Sequence, residues 1–137
     1  MEEKCVFCHI ELEPSQRVVL QNEHCMFIQL EESIIKGSQL EGAGVIVPKN
    51  HRETAFDLTP EEWNATQSLL LEVKNYLDDN FQPQGYNLGW NCSSTGGQHI
   101  SHSHFHVIPR FADETLAGKG IRYMFKSSIN RRSGTVD

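Results

Sequence analysis

The sequence predicts an α+β domain in which an antiparallel sheet of about five strands packs with one long helix and shorter helical pieces. Two observations support this fold class. Short apolar runs rich in β-branched and aromatic residues alternate with turn residues, and one long segment has the apolar spacing of a helix. A length of 137 residues suits one core. We therefore treat residues 1–137 as a single domain.

Charge and hydropathy narrow the range of partners. Eighteen acidic and twelve basic residues give a net charge of −6, which disfavours binding to long nucleic acids. A single small nucleotide remains possible, because one phosphate needs only a few local donors. The first ten residues have no signal-peptide core and no apolar run is long enough for a membrane span, so we expect a cytoplasmic protein without membrane contact.

Residues 1–10 contain the motif Cys5-Val6-Phe7-Cys8-His9. One interpretation is haem c attachment, which requires export and does not fit the expected compartment. A second is a thioredoxin-like redox pair, which normally follows a strand. The third is half of a zinc site, because two thiolates at this spacing can reach one tetrahedral ion. We favour zinc, with histidines elsewhere as the remaining ligands.

Residues 16–30 predict a hairpin. Two runs, Arg17–Leu20 and Cys25–Leu30, flank the polar residues 21–23, in which Asn22 suits a turn by composition alone. A short polar piece at 31–40 has some helical character. Residues 45–47 then form a brief buried strand that Pro48 stops, which leaves His51 just beyond a strand end, where functional groups are often displayed.

The clearest helix begins after Thr59. Thr59 suits the N-cap, Pro60 the first helical position, and Glu62 completes a capping box. An apolar stripe at helical spacing is expected to face the core and to have only a packing role; its members are Trp63, Thr66, Leu70, Val73 and Leu77.

The last predicted elements surround a glycine-rich loop. Residues 85–92 read as a strand, and the loop at 93–97 offers backbone N–H groups that could cradle a phosphate. Residues 96–110 follow, with His102, His104 and His106 at every second position. This spacing predicts a strand that carries all three imidazoles on one face. An alternative is that these histidines are only tolerated on a half-exposed strand. That explanation suits a single histidine better than three in strict alternation.

The stretch GGQHISHSHFHVIPR resembles the signature of the histidine triad (HIT) superfamily, H-x-H-x-H followed by two apolar residues, and VIVPKNH at 45–51 is similar to a second HIT segment. The resemblance implies a HIT-like fold, commonly a homodimer. It also implies a nucleotide hydrolase or nucleotidyl transferase that acts on the α-phosphorus of a dinucleoside polyphosphate or nucleoside phosphoramidate through a nucleotidyl-histidine intermediate.

The same resemblance implies roles for individual residues. His104 would be the nucleophile, for which neutral imidazole is competent at pH 7. The phosphate and the nucleotide would be bound by Asn22, Asn91, Gly97, Gln98 and His106. A structural zinc would be held by Cys5, Cys8, His51 and His102, which close a tetrahedral shell. Residues 111–137, with several basic side chains, would form a specificity tail.

Two other function classes stay open at this point. The three histidines could themselves hold a catalytic zinc or iron, because residues two apart on a strand can share a metal. Alternatively, the domain could be a nucleotide sensor that binds without turnover. An asparagine at position 104 separates these classes, because a nucleophile would lose its covalent intermediate and a metal site would lose metal.

Overall fold

The structure, a computed structural model, describes residues 2–134. Its elements are β1 (Gln16–Gln21), β2 (Cys25–Leu30), β3 (Gly44–Pro48), α1 (Pro60–Phe81), β4 (Gly85–Trp90) and β5 (Phe105–Arg110), with short 3-10 turns between them. The five strands form one sheet in the order β1-β2-β3-β5-β4, and every neighbouring pair is antiparallel. The predicted fold class is confirmed. Position 1 and positions 135–137 of the predicted N-terminal and C-terminal segments lie outside the described residues.

The two faces of the sheet have different partners. Phe27 and Ile46 pack with Leu69, Val73 and Leu77 of α1 to form the main core. Successive strand residues point to opposite faces, so the neighbours of Phe27 and Ile46 face away from α1. On that second face the N-terminal residues pack in a smaller cluster, made of Cys5, Phe7, Ile28 and Val47. The predicted metal and triad residues gather on this side.

The predicted cap of α1 is present. The Thr59 hydroxyl accepts from the Glu62 N–H and the Glu62 carboxylate accepts from the Thr59 N–H, which forms a complete capping box. The buried stripe differs from the prediction at two positions, because Glu62 and Leu69 are buried while Trp63 is 43% exposed. Within residues 2–134, no helix combines the length and the apolar character that a membrane crossing requires.

The triad stretch departs from the predicted single strand. β5 begins only at Phe105, so His102 and His104 precede the strand and His106 alone of the three lies in it. A long-range backbone contact takes the place of a ladder bond here: the Ser103 N–H donates to the Arg52 carbonyl at 2.6 Å. The prediction that one strand face carries all three imidazoles is therefore wrong.

An ion pair with one buried partner connects α1 to the segment that follows β3. Arg52 Nε donates to Glu62 Oε1 at 3.0 Å, and the side chain of Glu62 is 3% exposed. Burial by itself would raise the pKa of Glu62, but hydrogen bonds from Arg52 and Thr59 outweigh it and hold that pKa below its ordinary value. The pair fixes the segment that contains His51 against the start of the helix.

We expect Glu62→Gln to lower the free energy of unfolding by about 2 kcal/mol at pH 7, because the charged acceptor of a buried hydrogen-bond pair is lost. Because the pKa of Glu62 is lower in the folded chain than in the unfolded chain, its charge stabilises the fold above the unfolded carboxyl pKa of about 4.3. This contribution disappears as the pH falls through the folded pKa. Urea titrations at pH 7 and pH 3 measure the difference. Glu61→Gln, at an exposed position in the same turn, is the matched control, and equal losses in both variants would contradict the prediction.

Candidate functional site

Four side chains from three parts of the chain form a candidate metal site. The ligand atoms of Cys5, Cys8, His51 and His102 all lie within 4.8 Å of one another. Nδ1 of His102 is 3.4 Å from Cys5 Sγ and 3.2 Å from His51 Nδ1, and Cys8 Sγ is 3.2 Å from His51 Nδ1. Around a tetrahedral zinc, bond lengths of about 2.05 and 2.3 Å give edges of roughly 3.3 Å for N–N and 3.6 Å for S–N. The cluster fits such an ion.

The protonation state of His102 also suits a ligand. His102 is fully buried, and its Nε2 lies 2.9 Å from the Pro48 carbonyl, which can only accept a hydrogen bond. Nε2 therefore carries the proton and Nδ1 keeps a free lone pair that faces the cluster. Burial lowers the pKa of His102 to about 4, so the ring is neutral at pH 7.

A cysteine binds a metal in its charged form, whereas a histidine binds it in its neutral form. Burial, together with the neighbouring Cys5, raises the pKa of Cys8 to about 11, because a second thiolate charge would be poorly solvated there. A divalent cation reverses this preference, since thiolate is the form of cysteine that binds metal. The donor set of two sulfurs and two neutral imidazoles is typical of zinc.

His104 has the tautomer that the nucleophile needs. Its Nδ1 lies 2.8 Å from the carbonyl oxygen of His102, so Nδ1 donates the hydrogen bond and Nε2 holds the lone pair. The side chain is largely buried and lines a cavity of about 450 Å³ on the face opposite α1. The walls of this cavity are mostly apolar, including Val6, Phe7, Ile28, Leu30 and Ile108.

His106 lies beside His104 and lines two cavities. The two ring centroids are 5.0 Å apart, and both residues line the 450 Å³ cavity. His106 also lines a second cavity of about 300 Å³ together with Asn91 and Ile121. Burial, and then the neighbouring His104, lowers the pKa of His106. Its Nε2 is buried and has no hydrogen-bond partner within the described part of the chain, which is unusual for a buried polar atom.

The glycine loop is held by Gln98 in a way that the sequence did not indicate. Gln98 Oε1 accepts from the Ser93 N–H at 2.8 Å, and Nε2 donates to the carbonyls of Glu53 and Ile100 at 2.6 and 2.8 Å. Both amide protons are used, so a contact between this amide and a phosphate oxygen would require one of these bonds to break. In this structure Gln98 ties the loop to the segment after His51.

The backbone donors predicted at this loop are also engaged. The N–H groups of Gly97 and Gln98 donate to the carbonyls of Ser94 and Ser93, at 2.9 and 3.1 Å. Gly97 has φ of +102°, a left-handed conformation that favours glycine, and a Cβ built there would lie 3.4 Å from the Asn91 amide. Gly97 thus leaves room for Asn91, and the predicted phosphate contact of its N–H stays a prediction.

Asn22 is placed away from the triad. Its Nδ2 donates to the Ala65 carbonyl of α1 at 2.9 Å, and its Oδ1 accepts from the N–H groups of His24 and Cys25. These bonds close the β1–β2 turn and tie it to the helix. The structure therefore gives Asn22 ordinary turn contacts and does not bring it to either cavity that His106 lines.

Arg110 anchors the start of the predicted specificity tail. Its guanidinium donates to the carbonyls of Leu116 and Lys119 and to the side chain of Asn87, and it pairs with Glu114. These bonds bring Ile121 to the second cavity. Arg110 is the last residue of the triad stretch at 96–110, but the spacing of that motif did not indicate that Arg110 holds the segment that follows it.

Comparison with known proteins decides the family. The HIT domain model matches residues 11–113, about three quarters of the chain. The chain belongs to the HIT family. Protein hit of Bacillus subtilis is 30% identical over 111 residues, which cover 80% of this chain and 72% of that protein. Adenosine 5′-monophosphoramidase hnt1 of Schizosaccharomyces pombe is 25% identical over 122 residues, or 85% of this chain and 81% of that protein.

Solved HIT structures have the same fold. A HIT family protein from Bacillus anthracis superposes with a TM-score of 0.68 at 29% identity, with 81% of this chain and 76% of that chain covered. A zinc-bound histidine triad family protein from Mycobacterium smegmatis also reaches a TM-score of 0.68, at 21% identity, over 88% of this chain and 84% of that chain. The predicted HIT-like sheet and long helix are confirmed.

Proposed function

We propose that this HIT protein is a nucleotide hydrolase or nucleotidyl transferase in which His104 attacks the α-phosphorus of a dinucleoside polyphosphate or nucleoside phosphoramidate. The observation that carries the proposal is the hydrogen bond from His104 Nδ1 to the His102 carbonyl, because it leaves the Nε2 lone pair free in the cavity. A relative named as an adenosine 5′-monophosphoramidase supports the substrate class.

The two cavities suggest how the substrate would be arranged. The apolar 450 Å³ cavity suits the nucleoside, and the smaller cavity beside Asn91 suits the leaving group. The α-phosphate would then lie at His106, where both cavities meet. The unpartnered Nε2 of His106 would gain a phosphate oxygen as its partner.

The reaction would have two displacements. His104 Nε2 would form a bond to phosphorus while the bond to the leaving group breaks, which gives a nucleotidyl-histidine. An amine leaving group would take a proton from solvent water as it departs, and a phosphate leaving group would depart as an anion. Water would then add its oxygen to phosphorus, release a proton and free the imidazole, with a nucleoside monophosphate as product. An acceptor hydroxyl in place of water would make the same protein a transferase.

A zinc ion bound by Cys5, Cys8, His51 and His102 would have a structural role, because four protein ligands leave no open position for water. This arrangement speaks against a catalytic metal held by the triad. Among residues 2–134, the group that could hold a metal includes His102 but neither His104 nor His106. All four cysteines are free thiols, which supports a reducing, cytoplasmic location that cell fractionation would test.

The experiment is incubation with a panel of dinucleoside polyphosphates and nucleoside phosphoramidates, followed by an alkaline quench that preserves phosphohistidine. We expect a nucleoside monophosphate as product and a nucleotidyl group on the peptide that contains His104. Binding of nucleotides without any turnover across the panel would favour the sensor class instead.

We also propose a homodimer. β4 lies at an edge of the sheet, where no strand from residues 2–134 pairs with its outer side, and the half-exposed Trp63 and Leu88 lie on or beside it. Antiparallel pairing of two β4 strands would join the sheets and cover these side chains. Light scattering should give about twice the 15.6 kDa chain mass; a mass of one chain at micromolar concentration would contradict the dimer.

A further inference from the structure

Phe7 stands between the metal cluster and the catalytic imidazole. Its ring centroid is 5.6 Å from that of His102, at an interplanar angle of 74°, and 5.3 Å from that of His104, at 52°. Beyond these two histidines, the ring centroid of His51 is 4.9 Å from that of His102, and the ring centroid of His106 is 5.0 Å from that of His104. Five rings therefore form one continuous row from a candidate metal ligand to the junction of the two cavities.

The contacts of the Phe7 ring with His102 and His104 depend on where the two cysteines hold the backbone. Phe7 lies between Cys5 and Cys8, is 6% exposed, and lines the 450 Å³ cavity. The backbone around this ring is held by hydrogen bonds from the Cys5 N–H to the Glu2 carbonyl and from the His9 N–H to the Cys5 carbonyl, both at 3.0 Å. Gln16 Nε2 also donates to the Val6 carbonyl at 3.0 Å. Two metal–sulfur bonds, one on each side of Phe7, would add further restraints on where this ring lies.

A second contact joins the same two sites. His102 offers its Nδ1 to the metal cluster and its carbonyl oxygen to His104 Nδ1. The ring contact through Phe7 and the backbone contact through His102 both end on His104. Any displacement of the cysteine segment thus changes a wall of the nucleotide cavity and the surroundings of the nucleophile together.

We infer that Phe7 is a positioning residue that couples metal binding by the Cys5–Cys8 segment to nucleotide binding in the adjacent cavity. The inference deepens the proposed function and rests on its nucleotide site. A ligand that orders a segment reduces the ordering that a second ligand must achieve, so each binding event strengthens the other. Thermodynamic linkage requires that the two effects be equal.

The test measures the zinc dissociation constant by competition with a chromophoric chelator, with and without saturating AMP. We expect AMP to tighten zinc binding about fivefold in the wild-type chain, at the lower end of common coupling factors. In Phe7→Leu the ratio should fall to about half of the wild-type value or less, because leucine fills the site without an aromatic face for the two imidazoles. The backbone contact through His102 remains in this variant and accounts for any coupling that is left. Phe7→Met provides a second ring-free variant if Phe7→Leu does not fold.

Val6→Ala is the matched control. Val6 also lies between the two cysteines and lines the same cavity, but it has no ring. We expect this variant to keep the fivefold ratio even if its AMP affinity drops. A wild-type ratio of one overturns the coupling, as does an unchanged ratio in the ring-free variants.

Equilibrium dialysis of AMP in the same samples separates this inference from the proposed function. If AMP binds and the ratio is one, the coupling is wrong while the nucleotide site stands. If AMP does not bind even when zinc is present, the nucleotide site itself is contradicted, and the inference falls with it.

Discussion

Replacing His104 with asparagine should lower kcat by at least about 10³-fold, because the attacking lone pair is lost and the neighbouring imidazole of His106 is assigned to a phosphate oxygen. AMP binding and zinc content should stay close to wild type, since His104 lines the cavity but does not belong to the metal cluster. The measurement combines steady-state kinetics with alkaline trapping of the nucleotidyl-enzyme.

His99→Asn is the matched control, because His99 lies in the same stretch on an exposed position. It should retain activity within a few fold and should still form the trapped intermediate. Two outcomes would contradict the role of His104: a covalent nucleotidyl group that persists in the asparagine variant, or a loss of zinc from it, which would make His104 a metal ligand.

Replacing Cys8 with serine should weaken zinc binding at least about 100-fold, because a hydroxyl is a much poorer ligand than a thiolate. At fixed free zinc, a 100-fold loss corresponds to about 2.7 kcal/mol of ligand-linked stability and roughly a 10 °C fall in Tm for a domain of this size. Elemental analysis and thermal unfolding in zinc-buffered solution measure both quantities.

Cys92→Ser provides the comparison. Cys92 is a half-buried free thiol outside the four-residue metal group, so this variant should keep its zinc and most of its stability. An unchanged zinc content in Cys8→Ser would remove Cys8 from the proposed shell.

The sequence predicted those features that depend on local pattern. The capping box at Thr59 and Glu62 satisfies helix donors within four residues, and Pro48 ends β3 as its missing N–H requires. The candidate metal ligands lie up to 97 residues apart. The Cys5–Cys8 pair follows from a local motif, whereas His51 and His102 were implied by the resemblance. Their convergence was an expectation from resemblance, and the geometry of the cluster now supports it.

Other features depended on contacts that no local pattern records. Gln98 is predicted to bind the phosphate or the nucleotide, and in the structure its amide meets the carbonyl of Glu53, 45 residues away. Asn22 is predicted to bind there too, and its side chain donates to the Ala65 carbonyl across the helix–hairpin contact. Nucleotide contacts of both residues stay predictions. The contacts of Phe7 with His102 and His104 have no signal in the sequence, because an aromatic residue between two cysteines is also typical of ordinary packing. The alternation of the triad predicted one strand, whereas β5 begins only at Phe105. Before it, the Ser103 N–H donates to the Arg52 carbonyl and His104 Nδ1 to the His102 carbonyl.

The separation of the candidate metal ligands along the chain also governs the order in which they become available during synthesis. Cys5 leaves the ribosome first and His102 follows 97 residues later, which at about 5 to 20 residues per second is an interval of roughly 5 to 20 s. For that interval a nascent thiol pair can hold zinc with only part of its final shell. Closure of the proposed shell would therefore wait until translation has reached His102, two residues before His104.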